Sequence, residues 1–433
     1  MSDSTDPKPV CWWPALLIAG LAILALLAIW IPDSPQRAVQ VLKTVPVILI
    51  GSLLLLLWFS RYSRLSKKIR VRSLAILVLL IALGAVFFRL RGFTGDMVPI
   101  LDWRWSTIST LSPSDETESL GIDYPQFLGP HRNATLPNVH LDPEWESNPP
   151  RLLWQIPVGE AWSAFAVSGR SAITQEQQDE QETVACYDLL TGQEKWRYTY
   201  TARYATALGG IGPRATPTID GERVYTFGAT GVLTCLDVST GQEIWSRDTV
   251  KETGARVNDW GMSGSPLILN DRVIVSPGGP NGQSLMAYHK NTGAIIWGGG
   301  NRRAGYSSPS LTTLAGVDQI LIFNTGQVAS HDPDSGKLLW QHPWATGNAT
   351  QHIVQPVPLP DNRLFISTGY GIGCQLLQIA NEQDQFKISI LWETRRLKAK
   401  FTNVVHNDGY LYGLDDGILV CLDLQDTVVQ ATV

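Results

Sequence analysis

Asp237-Val-Ser-Thr240-Gly241-Gln-Glu-Ile-Trp245 decides the fold, because it is one of four copies of the same phrase. The others are Asp188-Leu-Leu-Thr191-Gly192-Gln-Glu-Lys-Trp196, His289-Lys-Asn-Thr292-Gly293-Ala-Ile-Ile-Trp297 and Asp332-Pro-Asp-Ser335-Gly336-Lys-Leu-Leu-Trp340. The tryptophans stand 49, 52 and 43 residues apart. A period in the forties, with one turn signal and one Trp per copy, marks a repeat architecture. What recurs is scaffold, so function is to be sought in what differs between copies. Thr-Gly makes a tight turn into an outer strand, with Gly free to take positive φ. The Trp four residues later is large and flat enough to fill the gap between twisted neighbouring sheets.

Working outward from the phrase, short β-rich runs alternate with hairpin signals. Thr216-Pro-Thr-Ile, the Asp220-Gly221 turn, Arg223-Val-Tyr-Thr-Phe, a Gly-containing turn and Val232-Leu-Thr-Cys-Leu-Asp237 read as three strands, and the run into Trp245 as a fourth. Four short strands per forty-odd residues is the unit of a β-propeller blade. A second marker repeats the period: Thr216-Pro217, Ser265-Pro266, Ser308-Pro309, Gln355-Pro356 and the degenerate Asn403-Val404, at intervals of 49, 43, 47 and 48. Pro can open a strand because its missing N–H falls outside the ladder. With Ser163 these markers predict six units in an all-β propeller over residues 123–433. The docking tryptophans are Trp154, Trp196, Trp245, Trp297, Trp340 and Trp392. The fifth unit keeps Trp392 but has lost the Thr-Gly turn. After Cys421-Leu-Asp423-Leu-Gln-Asp426 the sixth has Ala431 where a Trp is due. Two expectations follow: an incomplete eight-bladed ring, or a closed six-bladed ring in which Leu152-Leu-Trp154-Gln-Ile completes the last blade.

Residues 1–11 read as a tail, residues 12–92 as three transmembrane helices (about 12–31, 42–60 and 71–90), and residues 93–122 as a linker, rich in Ser, Thr, Asp and Glu from 106 onward. A spanning helix wants about 20 apolar residues. Trp12, Trp13, Trp30 and Trp58 sit at segment ends, where amphipathic rings favour the headgroup level. Arg61, Arg64, Lys67, Lys68, Arg70 and Arg72 fill the loop between the second and third segments, against Arg37 and Lys43 in the loop before. The positive-inside rule puts the six-charge loop in the cytoplasm and the propeller outside it. Arg89, Arg91 and Arg104 pull mildly the other way.

Charge divides along the same boundary. Residues 1–120 hold 12 Lys+Arg and 8 Asp+Glu, net +4; the remainder holds 22 and 31, net −9. Such a balance argues against nucleic-acid binding, which relies on clustered Lys and Arg. Cys186, Cys235 and Cys421 each stand two residues before an Asp, so they are one structural position in three copies and should not pair. They read as small buried hydrophobes. No Cys or His spacing suggests a metal.

Non-repeating residues ahead of the innermost strands are the candidates for a ligand site at the channel mouth: Trp162, Arg214, Trp260, Arg303, Tyr306, His352 and Lys400. Cationic groups from several blades with aromatic rings between them suit an anionic or aromatic ligand. The alternative is an ordinary solvated loop surface, with His352 a polar lining group. Asn133-Ala-Thr135 and Asn348-Ala-Thr350 match glycosylation acceptors by chance in a chain of bacterial type.

The Asp-x-x-Thr-Gly-x-x-x-Trp phrase resembles the tryptophan-docking motif of pyrroloquinoline-quinone (PQQ) repeats, found in quinoprotein alcohol dehydrogenases and in BamB-type outer-membrane assembly lipoproteins. Tyr124-Pro-Gln-Phe-Leu-Gly-Pro130-His-Arg-Asn133 is similar to the lead-in of PQQ-like propellers of environmental bacteria, as is Gly409-Tyr-Leu-Tyr-Gly-Leu-Asp415-Asp-Gly-Ile-Leu-Val-Cys-Leu-Asp423. The resemblance covers about residues 123–425 and is specific for fold, which does not carry function by itself. In the dehydrogenases it implies PQQ, a Ca²⁺ held by carboxylates and amides, an Asp base and a disulfide between adjacent cysteines. No two cysteines are adjacent here, and no acid–amide set maps onto this chain. The expectation is therefore a propeller anchored in the bacterial inner membrane and facing the periplasm. It binds or scaffolds a protein or a small anionic ligand, with no catalytic or metal residues and no cofactor. The alternatives are a PQQ- and Ca²⁺-dependent dehydrogenase and an envelope-assembly factor.

Overall fold

The computed structural model describes residues 11–31, 37–93, 98–105, 123–136, 139–206, 209–344 and 351–424. The Ser/Thr-rich part of the linker, Asn348-Ala-Thr350 and the position of Ala431 lie outside the described residues. The chain forms two compact units, Met1–Thr107 and Ile108–Val433.

In the first unit, α1 (Trp13–Trp30), α2 (Arg37–Leu57) and α3 (Lys67–Phe87) are long and apolar enough to cross a membrane. Helices suit that setting because they satisfy their backbone polar groups internally. The tryptophans at helix ends find polar partners: Trp30 Nε1 donates to Thr44 Oγ1 (2.9 Å) and Trp58 Nε1 to Cys11 O (3.1 Å). Trp58 lies in a single π-helical turn, Trp58–Tyr62, that extends α2. Ser66 caps α3, its side chain accepting from Ile69 N. The helix expected to reach residue 90 ends at Phe87, and the chain turns into a hairpin of β1 (Phe88–Phe93) and β2 (Pro99–Trp103).

The second unit is built of antiparallel blades. Five four-stranded sheets open on inner strands Ala166–Ser168, Thr218–Asp220, Leu267–Leu269, Ser310–Leu314 and Val357–Leu359. A sixth opens on Val405–Asn407 and has three strands among the described residues. Inner strands start two or three residues after the markers at 163, 216, 265, 308, 355 and 403.

The markers turn out to be clasps between blades. Thr216 N donates to Ser265 Oγ (2.9 Å), and Ser265 N to Ser308 Oγ (2.8 Å). Ser308 N donates to the Gln355 amide oxygen (2.8 Å), and Gln355 N to Asn403 Oδ1 (2.9 Å). A short acceptor at this position thus ties each inner strand to the next. Ser265→Ala leaves the buried Thr216 N–H without its acceptor and is expected to cost about 1–3 kcal/mol. Urea titration should show a lower midpoint with an unchanged slope.

The phrase itself does three jobs. Asp237 Oδ1 accepts from Ser239 N and Oγ (3.0 and 2.6 Å) and from Thr240 N and Oγ1 (both 2.8 Å), which closes the turn. Gly241 takes φ +71°, and a Cβ there would sit 2.5 Å from the Trp196 ring. The Trp then docks on the next blade's turn: Trp196 Nε1 donates to Val238 O (2.7 Å), Trp245 Nε1 to Lys290 O (2.9 Å) and Trp297 Nε1 to Pro333 O (3.2 Å). Five of the six docking tryptophans also face a small or apolar partner across the blade: Cys186, Cys235, Ala287, Ser330 and Leu376 oppose Trp196, Trp245, Trp297, Trp340 and Trp392. That pairing explains the recurring cysteine. Cys186 and Cys235 are buried free thiols, with Cys235 pushed up to about 11 by burial.

Five apolar clusters follow, each drawn from two adjacent blades, as Tyr225, Trp245, Val273 and Tyr288 join blades two and three. Blade five departs where its Thr-Gly turn is missing. Gln383 and Asp384, at φ 52° and 61°, close a two-residue hairpin between ten-residue strands. With no turn to dock on, Trp340 Nε1 bonds Gln319 Oε1 (2.6 Å).

The turn carboxylates make the fold acid-sensitive. Hydrogen bonds from Ser239 and then Thr240 hold Asp237 at about 2, against an ordinary 3.8. Asp332 is lowered by Ser335; at Asp188 burial works upward, but the Arg170 and Thr191 hydrogen bonds outweigh it. A depressed folded pKa means stability present above the unfolded value and lost as pH falls through the folded one. Stability should therefore drop between about pH 4 and pH 2. Asp237→Asn keeps an acceptor oxygen, so its denaturation midpoint should fall less over that window.

Candidate ligand face of the propeller

All seven candidate residues precede an inner strand. Six of them lie in crossings from the outer strand of one blade to the inner strand of the next. Four antiparallel strands return the chain to the end where it started, so all these crossings lie on one face.

Within this face the structure brings four candidates into one neighbourhood. A Cβ on Gly210 would meet Trp162 Nε1 at 3.1 Å, and one on Gly261 would meet Arg214 Nη1 at 3.1 Å. Trp260 and Tyr306 meet edge to face at 6.0 Å. Tyr204, which sequence reasoning missed, links them: its ring lies under Arg214 (4.6 Å) and its hydroxyl donates to Asp259 O. Nothing in the repeat marks Tyr204, because it sits in an irregular stretch of the crossing itself.

The charges here are largely engaged in holding chain. Arg214 donates to the carbonyls of Gly209 and Gly212, and burial lowers its pKa. Glu182, buried between blades one and two, accepts from Tyr200 Oη (2.5 Å) and Ala229 N (2.9 Å), and desolvation raises its pKa. Trp162 is 59% exposed, Phe165 37% and Phe401 54%; Arg303 is exposed beside Tyr306, and Glu160 and Asp259 are exposed on the same loops.

Of the remaining candidates, His352 joins this cluster only through its backbone, its carbonyl accepting from Tyr306 N (2.7 Å), and Lys400 has its own aromatic neighbours. Lys400 lies over the rings of Tyr370 (5.0 Å) and Phe401 (5.3 Å). His352 is fully buried, stacked on Phe323 at 4.4 Å with Nδ1 3.3 Å from Thr368 Oγ1. Burial pushes it down to about 4, so it is neutral near pH 7. Of the docking tryptophans, Trp154 packs on Gly192 and donates to Leu189 O (2.8 Å), as the outer-strand Trp of a preceding blade would. Trp392 Nε1 finds no acceptor among the described residues.

The lead-in, residues 123–134, lies along the inner strands. Tyr124 forms a bridge with Val167 of blade one, and Ile219 N of blade two donates to Pro125 O (2.8 Å). Arg132 reaches blade three, donating to Pro266 O (3.0 Å), Ser265 O (3.2 Å) and back to Gln126 Oε1 (3.1 Å). Leu128, Arg132 and Ala134 are all left-handed, at φ 61°, 53° and 60°. Non-glycine residues hold that conformation only where their surroundings enforce it. Three blades are stitched together from the axis side, on the strand edges a ligand in the channel would meet.

Phrase, clasps and blades define a β-propeller of PQQ-like repeats. Residues 151–431 match the family profile described as outer membrane protein assembly factor BamB, and the chain belongs to that family. It is similar to the quinohemoprotein alcohol dehydrogenase ADH IIB of Pseudomonas putida, 27% identical over 119 residues that make up 26% of this chain and 17% of that one. Among solved structures it resembles BamB from Moraxella catarrhalis, at 19% identity and TM-score 0.42, covering 59% of this chain and 70% of that one. A quinohemoprotein alcohol dehydrogenase from Comamonas testosteroni aligns at 14% identity and TM-score 0.42, covering 59% and 51%. The chain thus spans about a sixth of the curated relative and about half of the Comamonas enzyme.

Proposed function

We propose that three helices anchor this chain in the bacterial cytoplasmic membrane and that its propeller, on the periplasmic side, binds a protein partner without catalysis of its own. The observation that carries the reading is the make-up of the crossing face. Arg214 and Glu182 are engaged in internal hydrogen bonds, while on the same face Trp162 and Phe165 stay exposed ahead of the first inner strand, Arg303 beside Tyr306 and Phe401 beside Lys400. Exposed aromatic and Arg side chains in one region are the usual anchors of protein interfaces. The family description, an assembly factor, supports a protein partner over a small anion.

The likeness to quinohemoprotein dehydrogenases raises a second reading, an enzyme using PQQ and Ca²⁺. Calcium takes six to eight oxygen ligands, several of them carboxylates. Among the described residues no three His, Cys, Asp or Glu side chains converge. Purified full chain given PQQ and Ca²⁺ should show no dye reduction with alcohols or sugars above the cofactor alone; robust turnover would overturn the non-catalytic reading. A reporter fused after residue 120 should be active outside the cytoplasm. Activity only inside would reverse the orientation.

A further inference from the structure

The hairpin that follows α3 is amphipathic across its two faces. Phe88 pairs with Trp103 and Leu90 with Leu101, so these four side chains share one face. They are 44%, 45%, 56% and 60% exposed. Arg89 pairs with Asp102 on the other face. Rings gather where helix becomes strand: Phe87 stacks on Trp103 at 5.1 Å, and Trp105 lies 5.8 Å from Trp103. Arg104 N donates to Phe87 O (2.9 Å), which fixes the hairpin's base to the last residue of the helix.

A lone two-stranded hairpin is marginal in water. An exposed apolar face on one therefore calls for a cover. The occupant follows from continuity: β1 begins at the residue after α3 ends, so the face starts where a spanning helix would leave the hydrocarbon. Aromatic rings backed by Arg side chains match the chemistry of the bilayer interface, where Trp sits at headgroup level and cations meet lipid phosphates. We propose that the Phe88–Trp103 hairpin lies in the headgroup layer at the exit of α3, apolar face toward the acyl chains and Arg89 face toward water. This rests on the membrane reading above. Docked in this way, the hairpin is a second anchor that fixes where the segment toward the propeller leaves the bilayer.

The test uses full chain in phosphatidylcholine–phosphatidylglycerol liposomes, with Cys11→Ser and Cys421→Ser leaving only buried native thiols. Single cysteines replacing Leu79, Arg89, Leu90 and Leu101 carry a spin label, and collisions with lipid-soluble oxygen and a water-soluble nickel chelate are compared. Leu79, within α3, reports insertion of the helix itself. The expected result is an oxygen-to-nickel ratio several-fold higher at Leu90 and Leu101 than at Arg89, with both apolar sites shallower than Leu79. A water-accessible Leu79 would overturn the membrane reading, and the hairpin proposal with it. A lipid-exposed Leu79 with nickel-accessible Leu90 and Leu101 would overturn the hairpin proposal alone. So would Leu90 and Leu101 shielded from both reagents, since protein would then cover the face.

Discussion

Trp245→Ala is expected to lower the unfolding free energy by about 3–5 kcal/mol, the largest effect of any single substitution considered. The ring is 8% exposed within the cluster joining blades two and three. Its Nε1 donates to Lys290 O at 2.9 Å, and Gly293, at φ +69°, leaves room for the ring where a Cβ would come within 2.8 Å. Removing the ring leaves a cavity between two sheets that cannot close without shifting both, and it leaves the Lys290 carbonyl with the Tyr225 hydroxyl at 3.2 Å in place of two donors. Trp392→Ala supplies the contrast. That ring is half-buried, and its Nε1 finds no acceptor among the described residues. Denaturant titrations of the two variants should differ clearly. Equal losses would mean that docking on the neighbouring turn contributes little.

Arg132→Ala is expected to cost about 1.5–3 kcal/mol and to expose the lead-in to protease. One guanidinium bridges Gln126 and the Ser265 and Pro266 carbonyls, and burial lowers its pKa only to about 10, so it keeps its charge at neutral pH. Charged donors make the stronger hydrogen bonds, and truncation leaves three acceptors to find new partners. Arg132→Lys should recover only part of the loss, since an ammonium cannot span two carbonyls as the planar fork does. Limited proteolysis at residues 123–134 is the readout. A cleavage rate unchanged in Arg132→Ala would contradict the stitching role.

How much of this was legible in the sequence depends on reach. The Thr-Gly-Trp phrase is local, so turn, outer strand and docking ring could all be read from nine residues. The acid at its head was visible but unexplained, because its work is four hydrogen bonds inside the turn. Ser265 and its equivalents served as period markers, yet their bonding stayed hidden, since each clasp joins residues 43 to 49 apart. Arg132 reaches further still, 133 and 134 residues along the chain. The hairpin after α3 escaped notice because Phe88-Arg-Leu-Arg reads equally well as the frayed end of an apolar helix. At the crossing face, position ahead of an inner strand gathered Trp162, Arg214, Trp260 and Tyr306. It could not tell that His352 is buried or that Arg214 holds loop carbonyls.

On the function proposed above, the repeat is scaffold and the crossing face is the part that meets a partner. The most direct measurement is photo-crosslinking in intact membranes, with a benzophenone amino acid replacing Trp162 or, on the hairpin turn at the opposite end of blade two, Glu222. A discrete adduct from position 162 and none from position 222 is the expected result. Adducts equally abundant at both, or confined to position 222, would contradict it.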